Sequence, residues 1–253
     1  MDYVRLGKSN LMTSRVAMGA MSLAKIGDAD KAAELVRKAY TRGINLFDTA
    51  RTCPGCEQIL GDAVGDIRAS VMLATKTSAE SGAEIFSDVE TSLNVMHTDF
   101  IDIYQYESNR FLPEPDGRDG VYNALLAMKS AGKIRHIGIA TQDLDIAGRA
   151  VRSGLYETLQ FPFSMISAAK TIELVKLCEQ NDVGFIAMQP LCGGLVENIP
   201  LAFGFLHQYE SVVPLWGVQT EQELEQILYF NERPPVIDEQ FKADVERLRQ
   251  FFN

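Results

Sequence analysis

Short apolar runs alternate with amphipathic stretches along the chain. The apolar runs have the length of strands and predict strands at residues 15–23, 44–49, 71–77, 100–107, 134–141, 158–164, 183–191 and 212–218. The stretches between them carry apolar residues at helical spacing and predict helices at residues 28–43, 56–65, 85–97, 120–132, 143–154, 168–182, 201–209 and 220–230.

This alternation predicts a parallel sheet with helices outside it. Eight strand–helix units in 253 residues are typical of an α/β fold of the closed (β/α)8 TIM barrel type. An open doubly wound sheet is disfavoured, because no G-x-G-x-x-G follows the first strand. The segment GKSNLMTS, residues 7–14, predicts an N-terminal β-hairpin that closes the bottom of the barrel. With no linker or repeat in the sequence, we expect one domain over residues 1–253.

Composition narrows the classes of partner. Hydrophobic residues make up 46% of the chain, which is enough for a large core and argues against disorder. The net charge of -10 argues against nucleic acid and anionic membranes as partners. We expect a cytoplasmic protein, because there is no signal-peptide pattern, no apolar run of membrane-spanning length and only four cysteines. A small-molecule substrate fits this picture, and the oligomeric state stays open.

Candidate chemistry lies where predicted strands end, since barrel enzymes place their sites there. Asp48, Lys76 and Glu107 end three strands, and a turn bounded by Cys53 and Cys56 follows Asp48. Two carboxyls share one lysine, so a buried surplus carboxyl is expected to keep its proton and to be able to protonate a carbonyl. A thiol beside a lysine is expected to be acidic and reactive, with Cys56 able to protect Cys53 as a disulfide under oxidation.

The motifs GINLFDTA, LATK, IDIYQYE, GKIRHIGIAT and GFIAMQPLCGG stand in order along the chain. Together they resemble the aldo-keto reductases, above all a bacterial branch whose members often carry an iron–sulfur tail, which this sequence lacks. The resemblance implies carbonyl reduction with NAD(P)H by an Asp, Tyr, Lys and His tetrad. Asp48 and Lys76 match that tetrad, whereas Cys53 stands at the Tyr position and Glu107 at the His position.

The resemblance also assigns cofactor contacts to Thr141, Gln160, Met188 and Gln219. Gln160 matches the glutamine that binds the nicotinamide carboxamide, and Met188 replaces the aromatic residue that stacks on the nicotinamide ring. Residues 212–232 contain no Lys or Arg, so we expect poor binding of a 2′-phosphorylated cofactor. No metal is expected, because the cysteines lack a fourth ligand and close pairing.

Three functions remain open from the sequence. The first is a divergent oxidoreductase that acts on a small carbonyl compound. The second is a lyase, dehydratase or isomerase that uses Cys53, Lys76, Glu107 and Asp48 without hydride transfer, with Lys76 as a base or Schiff-base amine. The third is a non-catalytic binding protein, because a fold alone does not fix function.

Overall fold

The computed structural model describes residues 1–252, which contain a closed barrel of parallel strands preceded by a two-stranded antiparallel sheet. Around the barrel the strand order is β10-β3-β4-β5-β6-β7-β8-β9. The strands are β1 (Tyr3–Arg5), β2 (Met12–Ser14), β3 (Ala17–Gly19), β4 (Leu46–Asp48), β5 (Met72–Thr77), β6 (Ile101–Glu107), β7 (Ile134–Ala140), β8 (Thr158–Pro162), β9 (Gly184–Met188) and β10 (Val212–Trp216). The predicted TIM barrel and its N-terminal hairpin are confirmed.

Helices surround the barrel and connect its strands in the predicted order. They are α1 (Ala29–Thr41), α2 (Cys56–Val64), α3 (Gly82–Val95), α4 (Val121–Ser130), α5 (Leu144–Ser153), α6 (Ala169–Gln180), α7 (Ile199–His207), α8 (Glu221–Glu232) and α9 (Glu239–Phe252). Several begin at a side chain that accepts a backbone N–H of the first turn, which offsets the unpaired amides there: Asp28, Ser81, Asp143, Asn198 and Thr220.

Helix α9 is absent from the helices predicted from the sequence. Its signals are present in the sequence, because Asp238 stands at its start and Phe241 and Val245 recur at helical spacing. In the structure Asp238 Oδ1 accepts the N–H of Phe241 at 2.8 Å, and both apolar residues are buried.

The hairpin closes the bottom of the barrel. Leu6, which follows β1, is fully buried and packs with Leu46, Ile103 and Val213 inside the barrel. Gly7 has a φ of 53°, and a Cβ there would lie 2.2 Å from the backbone nitrogen of Gly184. Only glycine therefore allows the hairpin to approach β9 this closely.

The barrel interior is apolar below and polar above. Side chains of the lower layer include Leu46, Ala74 and Ile186. Two residues further along the same strands stand Asp48, Lys76 and Met188, which face the same side because strand side chains alternate. The interior thus directs its polar groups to the carboxyl ends of the strands, where the connecting loops begin. No helix in residues 1–252 is long and apolar enough to cross a membrane.

Glu157, just before β8, ties the lower rim of the barrel to α4. Its carboxylate lies 2.7 Å from His136 Nδ1, forms an ion pair with Lys129 and accepts the N–H of Ile137 at 3.2 Å. Burial alone would raise the pKa of Glu157, but the hydrogen bonds to His136 and Lys129 outweigh it and lower that pKa to about 2.

The lowered pKa of Glu157 predicts a pH-dependent contribution to stability. The contribution is complete above the ordinary glutamate pKa of about 4.3 and is lost as the pH falls towards 2. Wild type should therefore lose about 2 kcal/mol more of its unfolding free energy between pH 7 and pH 3 than Glu157→Gln does. Urea unfolding at both pH values measures the difference. The control is Glu90→Gln, which removes an exposed ion pair with Lys133 and should leave the wild-type pH dependence in place. An unchanged pH slope in Glu157→Gln would contradict the assignment.

Candidate active site

A buried ion pair lies at the carboxyl ends of β4 and β5. Lys76 Nζ is 2.6 Å from Asp48 Oδ2 and also donates to the carbonyl oxygen of Thr49 at 2.7 Å. Both charged residues are only 3% exposed. Charges this deeply buried are tolerated only when they are paired and hydrogen-bonded, so each of these groups depends on the other.

Two glutamine side chains complete the hydrogen bonding of Asp48. Gln105 of β6 donates Nε2 to Asp48 Oδ1 at 3.0 Å, and Gln160 of β8 donates Nε2 to Oδ2 at 3.2 Å. Because a carboxylate only accepts, both amide NH2 groups must face it. Among residues 1–252, the Oε1 atoms of both glutamines are buried and have no hydrogen-bond partner.

Gln105 was not singled out from the sequence. The signal available was its position two residues before Glu107 on one strand, which places both side chains on the same face. Its register opposite Lys76, which brings it to Asp48, depends on the pairing of β5 with β6 and is visible only in the fold.

Glu107 ends β6 at the mouth of the barrel, one layer above Gln105. Burial raises the pKa of Glu107, the positive charge of Lys76 lowers it, the negative charge of Asp48 raises it, and the net direction is upward. The alternate residues Tyr104 and Tyr106 point into the outer core between strands and helices. Burial also raises the pKa of Tyr106 to about 12. Its phenol is therefore a weaker acid than a free tyrosine, and it lies in the outer core instead of at the barrel mouth.

Cys53 and Cys56 are joined by a disulfide in the turn between β4 and α2. The Pro54–Gly55 corner, in which Gly55 has a φ of 76°, brings their Cα atoms to 5.5 Å, within the range that a disulfide requires. Neither sulfur is therefore a thiol in this structure, which holds the pair in the disulfide form that the sequence left open. Cys53 is partly exposed, whereas Cys56 is buried.

The residues expected at a cofactor lie at the same end of the barrel as Asp48. Thr141 directly follows β7, but its hydroxyl donates to Asn109 Oδ1 at 3.0 Å and accepts the N–H of Asp143 at 3.1 Å. Thr141 therefore braces its own loop. Met188 ends β9 and packs above the inner core, and Gln219 lies exposed between β10 and α8.

The N-terminus of α8 is already occupied by a carboxylate. Glu223 Oε2 accepts the N–H groups of Gln219 at 2.7 Å and Thr220 at 3.3 Å, while Thr220 Oγ1 accepts the N–H of Glu223 at 3.2 Å. This reciprocal pairing is a capping box, and it sets a carboxylate at the end of the helix that would otherwise favour a phosphate. Other glutamates of α8 pair with α1: Lys38 contacts Glu221 and Glu225, and Arg42 contacts Glu225 and Glu232.

The three histidines and the single tryptophan of the chain lie outside this site. His97 follows α3, His136 stands near the start of β7, and His207 ends α7. Trp216 ends β10 but turns outward and stacks on Phe203, with ring centroids 5.7 Å apart. Residues 1–252 contain no group of three or more His, Cys, Asp or Glu side chains arranged to hold a metal ion.

The sequence model of the aldo/keto reductase family matches residues 15–202. The chain belongs to this family. Among similar proteins, the uncharacterized oxidoreductase YqkF of Bacillus subtilis (strain 168) is 29% identical over 211 residues, 78% of this chain and 67% of that protein. The NADH-specific methylglyoxal reductase of Escherichia coli (strain K12) is 28% identical over 228 residues, 78% of this chain and 69% of that protein. The chain thus spans about two thirds of the length of these relatives.

Solved aldo/keto reductase structures share the barrel. The holo form from Bacillus halodurans has a TM-score of 0.85 at 22% identity, covering 98% of this chain and 96% of that one. An enzyme from Klebsiella pneumoniae in complex with NADPH has a TM-score of 0.83 at 19% identity, covering 98% of this chain and 95% of that one. At such identities the likeness establishes the fold alone.

The hydrogen bond from Gln105 to Asp48 predicts a stability effect. Gln105→Met keeps the length of the side chain but removes the donor to a buried charged oxygen, so the unfolding free energy should fall by about 2 kcal/mol. Urea unfolding monitored by circular dichroism measures it. The matched control is Gln240→Met, which removes a 3.0 Å hydrogen bond from an exposed glutamine to Asp244 and should cost less than about 0.5 kcal/mol. Equal effects in both variants would count against the role given to Gln105.

Proposed function

We propose that this chain reduces a small carbonyl compound with NADH, and that Glu107 donates the proton to the carbonyl oxygen. The observation that carries the proposal is the raised pKa of Glu107 beside the Asp48–Lys76 pair at the barrel mouth. A carboxyl whose pKa is raised keeps its proton to a higher pH than an exposed glutamate does, and it is suited to act as a general acid. While it is bonded to Cys56, Cys53 has no thiol proton and cannot act as that acid.

The polar groups at the mouth fit a nicotinamide. Gln160 gives its NH2 group to Asp48 and keeps a buried Oε1 without a partner in residues 1–252, an acceptor suited to the NH2 of a carboxamide. Met188 adds an adaptable apolar surface at the adjoining strand end. A reduced nicotinamide held by these residues would supply the hydride for the carbonyl carbon.

Residues of this chain would transfer the proton to the carbonyl oxygen. Glu107 would pass its proton to the carbonyl oxygen and become a carboxylate. The positive charge of Lys76 stabilises that carboxylate and so makes Glu107 a stronger acid than burial alone would allow. Asp48, Gln105 and Gln160 hold Lys76 in place through the hydrogen bonds around Asp48. Solvent at the open mouth would return the proton to Glu107.

The preference for NADH rests on the N-terminus of α8. Resemblance to the family directs the 2′-phosphate of NADPH towards this region, where residues 212–232 supply no Lys or Arg. The carboxylate of Glu223 lies at this helix end, where it accepts the N–H groups of Gln219 and Thr220, and a second anion beside it is repelled. The relative from Escherichia coli carries the name NADH-specific methylglyoxal reductase, which makes methylglyoxal the first substrate to test.

The non-redox reactions considered from the sequence use Cys53 as a thiolate or Lys76 as a base or Schiff-base amine. In this structure Cys53 is held in a disulfide, and the amine of Lys76 is buried in hydrogen bonds to Asp48 and Thr49, so the site favours the carbonyl reductase over a lyase, dehydratase or isomerase.

The assignment of Glu107 predicts a loss of activity with a defined pH signature. Glu107→Gln cannot donate a proton, so kcat for methylglyoxal with NADH should fall by about 10²–10⁴-fold. In wild type, kcat should decrease as the pH rises through the raised pKa of Glu107, because the protonated form is the active one. In Glu107→Gln this decrease should disappear.

The control for this experiment is Tyr106→Phe, which removes a phenol that faces the outer core and should leave kcat and its pH profile unchanged. A wild-type protein that binds NADH but reduces no carbonyl would support the non-catalytic alternative. Loss of activity in Tyr106→Phe, with activity retained in Glu107→Gln, would show that Tyr106 donates the proton and would contradict the role proposed for Glu107.

The occupied α8 N-terminus predicts discrimination between cofactors. Isothermal titration calorimetry should show NADPH binding at least about tenfold more weakly than NADH, a difference of about 1.4 kcal/mol. Gln219→Arg adds a cation beside this helix end and should tighten NADPH while leaving NADH unchanged. The control is Gln226→Arg, which places the same charge on the exposed face of α8 further along the helix. Equal or tighter binding of NADPH by wild type would contradict the preference.

A further inference from the structure

We propose that Cys53 and Cys56 form a redox-active pair that exchanges its disulfide with low-molecular-weight thiols. This activity is separate from carbonyl reduction and needs neither a nicotinamide nor Glu107. The observations behind it are the disulfide itself, the unequal exposure of the two sulfurs, and the position of the pair between the barrel mouth and the start of α2.

The pair lies directly against the polar mouth. The loop after β4 runs beside β5, because the N–H of Thr49 bonds to the carbonyl of Ala74 at 2.8 Å and that of Arg51 bonds to the carbonyl of Lys76 at 2.9 Å. The N–H of Cys53 then bonds to the carbonyl of Ala50 at 3.1 Å, which turns the chain outward at the rim. Cys53 is thereby fixed by the backbone close to the strand end that carries Lys76.

The two sulfurs differ in access. Cys53 is partly exposed and is followed by exposed Pro54 and Gly55, whereas Cys56 is fully buried. A thiol arriving from solvent therefore reaches the sulfur of Cys53 and not that of Cys56. Because disulfide exchange depends on which sulfur can be approached, Cys53 is the point of attack and Cys56 the resolving residue. The partial burial of Cys53 favours slender reagents, which is why the partner is a small thiol.

The bridge is poorly placed to act as a structural staple. It closes a loop with a sequence separation of 3, and both cysteines belong to one connection between β4 and α2. The stabilisation that a disulfide gives by restricting the unfolded chain grows with the length of the loop that it closes. A bridge across one turn that joins no distant elements adds little in this way, so a chemical role explains it better.

Cys56, the buried cysteine of the pair, is suited to be the leaving group when the disulfide is attacked. Cys56 is the first residue of α2, a helix of 9 residues, and its N–H bonds to the carbonyl of Cys53 at 3.2 Å. The partial positive charge of a helix N-terminus stabilises a thiolate at such a position. Once protonated, the Cys56 thiol can donate to the carbonyl oxygen of Met21, which lies 3.9 Å from its sulfur.

The exchange balances with two external thiols and needs no further reductant. A first thiolate attacks Cys53 Sγ and forms a mixed disulfide. The Cys53–Cys56 bond breaks, and its electron pair leaves on Cys56 Sγ, which takes a proton from water. A second thiolate then attacks the external sulfur of the mixed disulfide, and Cys53 leaves with the electron pair and takes a proton. The two external thiols are oxidised to one disulfide, and the protein disulfide is reduced to a dithiol.

The test equilibrates the whole folded protein in glutathione buffers of increasing reduced fraction. Samples are quenched with acid, alkylated with iodoacetamide and digested for mass spectrometry. We expect the peptide that carries both cysteines to change between the disulfide and the doubly alkylated form, and to return when oxidised glutathione is added. Circular dichroism should stay constant throughout. In a separate sample alkylated while still folded, buried Cys178, whose pKa burial raises to about 12, should stay unlabelled.

Two single variants test the assigned order of attack. Cys56→Ser should retain one glutathione on Cys53, because the resolving sulfur is missing. Cys53→Ser should capture at least about tenfold less glutathione on Cys56, because that sulfur is buried. Cys192→Ser, which removes a cysteine near Ser164 in another loop, is the control and should exchange like wild type.

Three results would overturn the proposal: reduction that occurs only as circular dichroism shows unfolding, equal capture of glutathione by the two single variants, or a bridge that reduced glutathione never opens. None of these readouts involves NADH, so they separate failure of the thiol site from failure of the proposed carbonyl reduction.

Discussion

The carboxylate of Asp48 is the group on which the barrel mouth depends. It lies almost wholly out of contact with water, where an ionised carboxylate is stable only if its oxygens are saturated with donors. Those donors come from three different strands: Lys76 on β5, Gln105 on β6 and Gln160 on β8. One charge thereby draws together side chains from four of the eight barrel strands, and it fixes the ammonium group of Lys76 at the centre of the site.

Glu107 illustrates how this arrangement tunes chemistry at a distance. Burial raises its pKa, and the charges of Lys76 and Asp48 act on it with opposite signs. Because burial is the largest of these influences, desolvation decides the direction. In our proposal an acid with a raised pKa therefore replaces the missing phenol, while the ion pair below it is retained.

The sequence was informative where a strand ends and a loop begins. Asp48, Lys76 and Glu107 were found there because alternation and strand length determine which side chain stands at the mouth. Gln105 was missed, since its importance comes from its distance to Asp48 and not from its own neighbourhood in the sequence. The state of Cys53 was also left open by the sequence, because residue type alone does not tell a free thiol from one half of a disulfide.

The α8 N-terminus shows what a count of charges along the sequence misses. The sequence indicated poor phosphate binding only from the lack of Lys and Arg in residues 212–232. In the structure Lys38 and Arg42 pair with three glutamates of α8, whereas the carboxylate of Glu223 lies at the helix N-terminus and accepts backbone N–H groups there. A count of charges along the sequence could not separate a neutralised glutamate from one that occupies a binding position. The distinction requires knowing that α1 lies beside α8 in the closed barrel.

The two-residue alternation of β6 limits how this site can change by single substitutions. Tyr104 and Tyr106 are present on the strand yet locked on the outer face, so neither can be recruited without shifting the register of the whole strand. Only the inward positions, occupied by Gln105 and Glu107, are open to a new acid. The hydrogen bond that Gln105 gives to Asp48 constrains the first of these. A single substitution that brings an imidazole or a phenol from this strand to the barrel mouth is therefore best placed at position 107.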